Sequence, residues 1–93
     1  MKQDMLILLA NELIEARDYW QQWQRTSETK TEWSKAEHLD YGEARARYQT
    51  VARCIRMMGL EADVDQIVYL KDIEAFEKEI EAYEKEIEAE RGV

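Results

Sequence analysis

The sequence predicts an all-α protein, an antiparallel three-helix bundle or helical hairpin with coiled-coil-like heptad packing. Its 93 residues include no Pro and only 3 Gly, and a chain so poor in helix-breaking residues favours long helices over sheets. Apolar residues also recur at helical spacings of three and four along three separate segments. We expect a single domain of residues 1–93, with neighbouring helices antiparallel because the connections between them are short.

The first predicted helix runs from about residue 2 to about residue 25. Its main apolar stripe consists of Leu6, Leu9, Leu13, Ala16, Trp20 and Trp23. A second, shorter stripe of Ile7, Ala10 and Ile14 lies on nearly the opposite side, so the first half of this helix is apolar almost all round. Such a helix usually lies between two neighbours. We expect another copy of the chain to cover Ile7 and Ile14, which would make the protein a homo-oligomer through this helix.

The second predicted helix spans about residues 31–58. Thr29 and Glu32, near its start, have the spacing of an N-terminal capping box. Its apolar stripe consists of Tyr41, Ala44, Tyr48, Val51, Ile55 and Met58. Glycine lowers stability by up to about 1 kcal/mol in a helix interior, so Gly42 leaves two alternatives, a continuous helix or one kinked near residues 40–42.

The third predicted helix spans about residues 63–90. Gly59 is suited to end the preceding helix, and Asp63 with Gln66 has capping-box spacing. A seven-residue repeat fills most of this helix and places Ile at one apolar position and an aromatic residue at the other, as in a coiled coil. We call the resulting apolar row the heptad stripe; it consists of Tyr69, Ile73, Phe76, Ile80, Tyr83 and Ile87.

The positions on both sides of the heptad stripe are acidic. They are Asp72, Glu79 and Glu86 on one side, and Glu77 and Glu84 on the other. Parallel pairing of two copies would therefore set Glu against Glu, which is destabilising. The second helix offers basic flanks instead. An antiparallel hairpin of the second and third helices predicts Arg45 opposite Glu77, and Arg47 opposite Glu79.

The residues that could carry chemistry are isolated from one another. His38 is the only histidine and Cys54 the only cysteine, so we expect an exposed helix histidine and a small, partly buried hydrophobic residue. The chain contains neither a glycine-rich phosphate loop nor a metal-binding His-Glu-x-x-His motif. The sequence therefore predicts a non-enzymatic protein with no metal and no cofactor.

Composition also bears on the cellular setting and on nucleic acid. The apolar run of residues 5–10 is too short for a signal peptide or a membrane span, and the cysteine usage favours a reducing, cytoplasmic setting. Residues 61–93 hold twelve acidic and four basic side chains, which equals the whole net charge of −8. Because that sign is wrong for phosphate, we do not expect nucleic-acid binding despite four arginines between residues 45 and 56.

Together these features predict a protein–protein interaction module, a small adaptor or regulator with an acidic helix and an apolar or aromatic surface. The candidate contact residues are Glu74, Glu81, Glu88, Ile7, Ile14, Trp20, Trp23 and Trp33. The tryptophans are open to two interpretations, core or interface. One alternative function is an acidic inhibitor that mimics nucleic acid and blocks a basic site on a host enzyme, as small phage-encoded anti-defence proteins do. Another is a self-assembling structural subunit.

Overall fold

A computed structural model describes residues 2–92 of the chain. Within this range the protein forms three helices and no strand: α1 (Lys2–Thr29), α2 (Lys35–Met57) and α3 (Glu61–Arg91). The predicted all-α class is therefore confirmed. All three helices are longer than an isolated helix needs to be marginally stable in water, so local propensity and tertiary packing act in the same direction.

The start of α2 is set by a capping box that the sequence reading missed. The backbone N–H of Glu37 donates to the Ser34 hydroxyl at 3.2 Å, and the backbone N–H of Ser34 donates to a Glu37 carboxylate oxygen at 3.2 Å. The capping box predicted at Thr29 was wrong, since this residue ends α1 and its hydroxyl donates to the carbonyl of Thr26 at 3.2 Å. Helix α2 then continues without interruption through Gly42.

A Schellman motif ends α2 and turns the chain into α3. Gly59 has a φ of +71°, its N–H donates to the Arg56 carbonyl at 3.0 Å, and the N–H of Leu60 donates to the Ile55 carbonyl at 3.1 Å. This is the position and conformation in which glycine is favoured. Leu60 also precedes α3 and offers no side-chain cap, so the cap predicted at Asp63 was wrong; Asp63 lies inside the first turn.

Helix α1 lies between the other two helices. Trp20 of α1 contacts Tyr48 of α2, with ring centroids 5.2 Å apart. Trp23 of α1 contacts Trp33, in the loop before α2, with ring centroids 5.7 Å apart. The second half of α1 therefore packs against α2 and against the loop that precedes α2. Helix α3 packs on another side of α1, and α2 and α3 share far fewer contacts with each other than either shares with α1. Ala10 and Leu13, in the first half of α1, share a core cluster with a residue of each of the other two helices, in keeping with the broad apolar surface of this segment.

The main core lies at the end of the molecule where α2 turns into α3. It is formed by the buried residues Ala10, Leu13, Ile55 and Val64. Partly buried residues surround them: Leu6, Leu9, Tyr48, Val51, Ala52, Leu60, Ile67 and Val68. Val64 is the one buried residue of α3, and Ile67 and Val68 are the last residues of this helix that pack against the core. The helix from Tyr69 to Arg91 therefore contributes little to the core.

The ion pairs between helices differ from the predicted register. The Arg47 guanidinium lies 3.4 Å from the Glu12 carboxylate and 3.8 Å from that of Glu15, both on α1. The predicted pairing of the second and third helices, with Arg47 opposite Glu79 and Arg45 opposite Glu77, was therefore wrong. The physical reason is that α1 offers acidic residues at the spacing that Arg47 can reach, and α1 rather than α3 packs along α2.

A bidentate ion pair joins α1 to α3. Two Arg17 nitrogens donate to the two carboxylate oxygens of Asp72 at 2.8 and 2.9 Å. The hydrogen bond from Arg17 lowers the pKa of Asp72, and the same bond raises the pKa of Arg17. Arg17 also contacts its neighbour Asp18 at 3.1 Å. Asp72, expected as a flank of the heptad stripe, is instead engaged within the chain.

Replacing Asp72 with Asn should destabilise the protein at neutral pH by up to about 1 kcal/mol, because the pair is only partly shielded from water. The folded-state pKa of Asp72 lies below its ordinary value of 3.8. Its contribution is therefore complete above that value and is lost as the pH falls through the lowered pKa. Urea denaturation at neutral pH and at a pH of about 2 should show a difference from wild type that shrinks in acid.

Asp65→Asn, at an exposed carboxylate earlier on the same helix, is the control for this experiment. A difference between wild type and Asp72→Asn that stays the same in acid would show that the ion pair is not its source.

Candidate interaction surfaces

Helix α3 packs against α1 through one face only. Val64 is buried and Ile67 is half-buried on that face, and further along a groove between the helices is lined by Ile14, Lys71 and Ala75. At about 100° per residue, this face points roughly 150° away from the heptad stripe. The regular heptad repeat is therefore not the surface with which α3 joins the rest of the chain.

The heptad stripe is exposed along most of its length. Phe76 is 61% exposed and Tyr83 is 64% exposed, and Tyr69, Ile73 and Ile80 are exposed as well. From Tyr69 to Ile87 the stripe extends over about 27 Å of helix. Contiguous exposed apolar surface of this kind is a mark of interaction sites.

Carboxylates line both sides of the heptad stripe. Glu77 and Glu84 lie on one side, Glu79 and Glu86 on the other, and all four are exposed. The lysines of α3 lie on the opposite side of the helix; they are Lys71, Lys78 and Lys85. Charge is thus sorted around α3, with an apolar row, carboxylates along each border and the three lysines at the back.

The predicted contact residues Glu74, Glu81 and Glu88 form an exposed row on α3. This row lies next to Glu77 and Glu84, so it widens one acidic border of the heptad stripe. Glu74 alone of the row approaches a lysine among the described residues, at 4.0 Å from the Lys78 ammonium. A surface ion pair at that distance neutralises little of the acidic field.

The two predicted isoleucines of α1 differ in their surroundings. Ile7 is exposed, whereas Ile14 is half-buried beside α3. Ala10, between them in the same stripe, is completely buried in the core. Helix α3 of the same chain thus covers part of the surface for which we expected a second copy. That another chain covers Ile7 stays a prediction.

Two of the tryptophans, Trp23 and Trp33, belong to an aromatic group where the end of α1 meets the start of α2, whereas Trp20 contacts Tyr48 separately. All three are half-buried. Besides its contact with Trp23, Trp33 meets Tyr41 edge-to-face at 5.8 Å and the His38 ring at 5.6 Å. The Trp20 indole N–H is buried and finds no hydrogen-bond acceptor among the described residues. The tryptophans are therefore partly core and partly surface.

An open depression of about 210 Å³ adjoins this aromatic group. It is lined by Ser27, Trp33, His38 and Tyr41. The Trp33 indole N–H donates to the Lys30 carbonyl at 3.2 Å, so the ring is held in place. The pKa of Glu37 nearby is lowered by hydrogen bonds, first from Lys30 and then from Ser34. These polar groups are occupied in shaping the loop before α2.

The single histidine and the single cysteine, the residues that could carry chemistry, both lie on the surface. His38 is exposed. Cys54 is exposed too, so its expected partial burial was wrong; it projects from α2 next to the core residue Ile55 rather than into the core. Within residues 2–92, no cluster of three or more His, Cys, Asp or Glu side chains is arranged to hold a metal ion.

None of the helices in the described range is long and apolar enough to cross a lipid bilayer.

The sequence reading missed the heptad stripe as a contact surface. It assigned these residues to packing within the chain, because a seven-residue repeat is a strong packing signal. The signal that could have corrected this assignment is the second apolar row at the start of the helix, comprising Val64, Ile67 and Val68. A helix with two apolar rows has a second face available for a further neighbour.

Comparison with known proteins gave no matching protein family, no similar curated protein and no similar solved structure.

Proposed function

We propose that this protein is a non-enzymatic interaction module, a small adaptor or regulator, whose main contact surface is α3. The observation that carries the proposal is that α3 has two apolar faces and folds with only one of them. Val64 and Ile67 pack against α1, while the heptad stripe remains exposed with carboxylates on both sides. The coiled-coil packing that the repeat encodes then takes place in a complex.

The charge of α3 specifies a partner with a basic surface. An apolar row supplies affinity by removing its area from water, and charged borders select the partner and speed its approach. Residues 61–93 carry the entire net charge of the protein, so the approach of a basic surface is directed to α3. The aromatic group of α1 and α2 is a secondary contact, since Trp and Tyr are frequent anchors at interfaces.

The exposed row of Glu74, Glu81 and Glu88 favours a second candidate, the acidic inhibitor. These carboxylates recur every seven residues, which is about 10.5 Å along a helix, on a surface that does not take part in the core. A rigid array of negative charges can occupy a basic channel that normally holds nucleic acid. The two candidates differ in the surface they use, because an inhibitor of this kind relies on carboxylates and not on the heptad stripe.

The test begins with capture of a partner by the immobilised protein from an extract of its native cells, followed by identification and binding with purified components. Changing Glu74, Glu81 and Glu88 together to Gln should slow association about tenfold or more at low salt. The thermal midpoint should stay nearly unchanged, since these residues are exposed. Changing Lys78 and Lys85 to Gln is the matched control and should not slow association.

Each outcome distinguishes the candidates. Displacement of the captured partner by added nucleic acid would favour the acidic inhibitor. Association that is indifferent both to salt and to the triple change would contradict a role for the acidic surface and would leave the aromatic group as the contact. A protein that captures nothing and assembles with itself would support the structural subunit.

A further inference from the structure

We infer that the heptad stripe is one half of a two-helix coiled coil whose other half is a basic amphipathic helix of a different protein. The inference rests on the proposed function and makes it specific.

The heptad stripe is open to a partner from Tyr69 to Tyr83, where each of its residues is exposed. The face of α3 that meets α1 lies on the far side of the helix, with Val64 in the core and Ala75 at the groove. From Glu79 to Glu86 every residue of α3 is exposed. A second helix can therefore lie along the stripe without displacing α1 or α2.

A second copy of this chain is a poor occupant. In a parallel dimer, each flanking residue of one helix meets a flanking residue of the next heptad on the other helix. The facing pairs are Asp72 with Glu77, Glu79 with Glu84, and Glu86 with Arg91. Glu79 with Glu84 is repulsive and only Glu86 with Arg91 is attractive, while Asp72 is already paired with Arg17. The lysines that could relieve this repulsion lie at the back of the helix and cannot reach the seam.

The required flanks are therefore Lys or Arg on both sides of the partner's apolar row. They would meet Glu77 and Glu84 on one border, and Glu79 and Glu86 on the other. Opposite charges at these positions determine which coiled-coil helices pair.

The apolar row also limits the partner's own core residues. The Ile positions of the stripe suit β-branched or Leu neighbours in a two-stranded coiled coil. The other positions hold Phe76 and Tyr83, which are larger than the Leu usual there. Because coiled-coil cores are filled at nearly constant volume, the partner must place small residues such as Ala opposite the aromatic rings.

The length of the stripe fixes the length of the occupant. From Tyr69 to Ile87 the rise is about 27 Å, so a helix of roughly 18–20 residues, close to three heptads, covers it. A coiled coil this short is marginal by apolar contacts alone, and the charged borders should contribute a large part of its affinity.

The experiment uses a synthetic three-heptad peptide with Ile and Ala at its apolar positions and Lys at its flanking positions. Calorimetry with the full-length protein should show one peptide per chain, and circular dichroism should show a gain of helix on mixing. Ile80→Lys, which places a charge in the seam, should weaken binding at least about tenfold. Lys85→Glu, at the back of the same helix, is the matched control and should not weaken binding.

Two further peptides separate this inference from the proposed function. A peptide of the same composition with its apolar heptads scrambled should bind at least about tenfold more weakly, and a peptide with Glu at the flanks should not bind measurably. Equal binding of the scrambled peptide would overturn the coiled coil yet leave a salt-dependent acidic surface in place. Self-association of the protein alone, abolished by Ile80→Lys, would overturn it in favour of a second copy. Failure of the basic heptad peptide to bind would also overturn the coiled coil. The proposed function as an interaction module would still be tested, independently, by the capture experiment.

Discussion

Replacing Ile55 with Ala should lower the free energy of unfolding by about 2–5 kcal/mol, the range for large-to-small changes in a packed core. Ile55 is only 2% exposed and belongs to the cluster that joins all three helices. The same replacement at Ile80, which is 41% exposed, should change stability by no more than a few tenths of a kcal/mol. The pair compares the same chemical change in the core and on the heptad stripe.

Urea denaturation followed by circular dichroism measures both differences, with equal denaturant slopes as the sign that the unfolding transition is unchanged. A loss at Ile80 comparable to that at Ile55 would mean that the heptad stripe is buried in solution, by self-association or by another arrangement of α3. Repeating the Ile80→Ala measurement over a range of protein concentrations separates these two explanations, because only self-association makes stability depend on concentration.

Replacing Gly59 with Ala should destabilise the protein by about 1–2 kcal/mol, the cost of a left-handed conformation for a residue with a Cβ atom. The space around Gly59 is open, with nothing within 4 Å of an added Cβ. The expected loss is therefore a backbone effect and not a steric clash. Gly42→Ala should have the opposite sign, a gain of about 0.5–1 kcal/mol, because Gly42 lies in a continuous helix with equally open surroundings.

Thermal denaturation of the two variants should move the midpoint in opposite directions. Gly59→Asn offers a further check, since Asn tolerates the left-handed region better than Ala and should recover part of the loss. A destabilising Gly42→Ala would indicate that α2 bends at this position in solution, which is the kinked alternative that the sequence left open.

The existence of three helices could be predicted from the sequence, because apolar periodicity and the absence of Pro act over many residues at once. Their ends were harder to predict. Thr29 with Glu32, and Ser34 with Glu37, have the same capping-box spacing. Which one forms depends on where α1 stops, and its extension to Thr29 leaves only the second available.

The face of α3 that packs against α1 could not be predicted from the length and regularity of the apolar rows in the sequence. The heptad stripe is the longer and more regular row, yet the short row that begins at Val64 enters the core because the turn at Gly59 and Leu60 presents it to α1. Charge gave no better guidance, since Arg47 could be matched with acidic residues on either neighbouring helix. The acidic row of α3 was therefore proposed as a contact from the sequence, whereas the heptad stripe was assigned to packing within the chain.

The position of the core at one end of the molecule has a consequence for the energetics of α3. Beyond Asp72 the helix is held mainly by its own backbone hydrogen bonds and by local pairs such as Glu74 with Lys78. Its amide protons there should exchange with solvent through local opening, well before those near Val64. A partner helix laid on the stripe would suppress that opening, so binding and local folding of this segment are coupled. The affinity of α3 for its partner would then depend on how often the free segment is already helical.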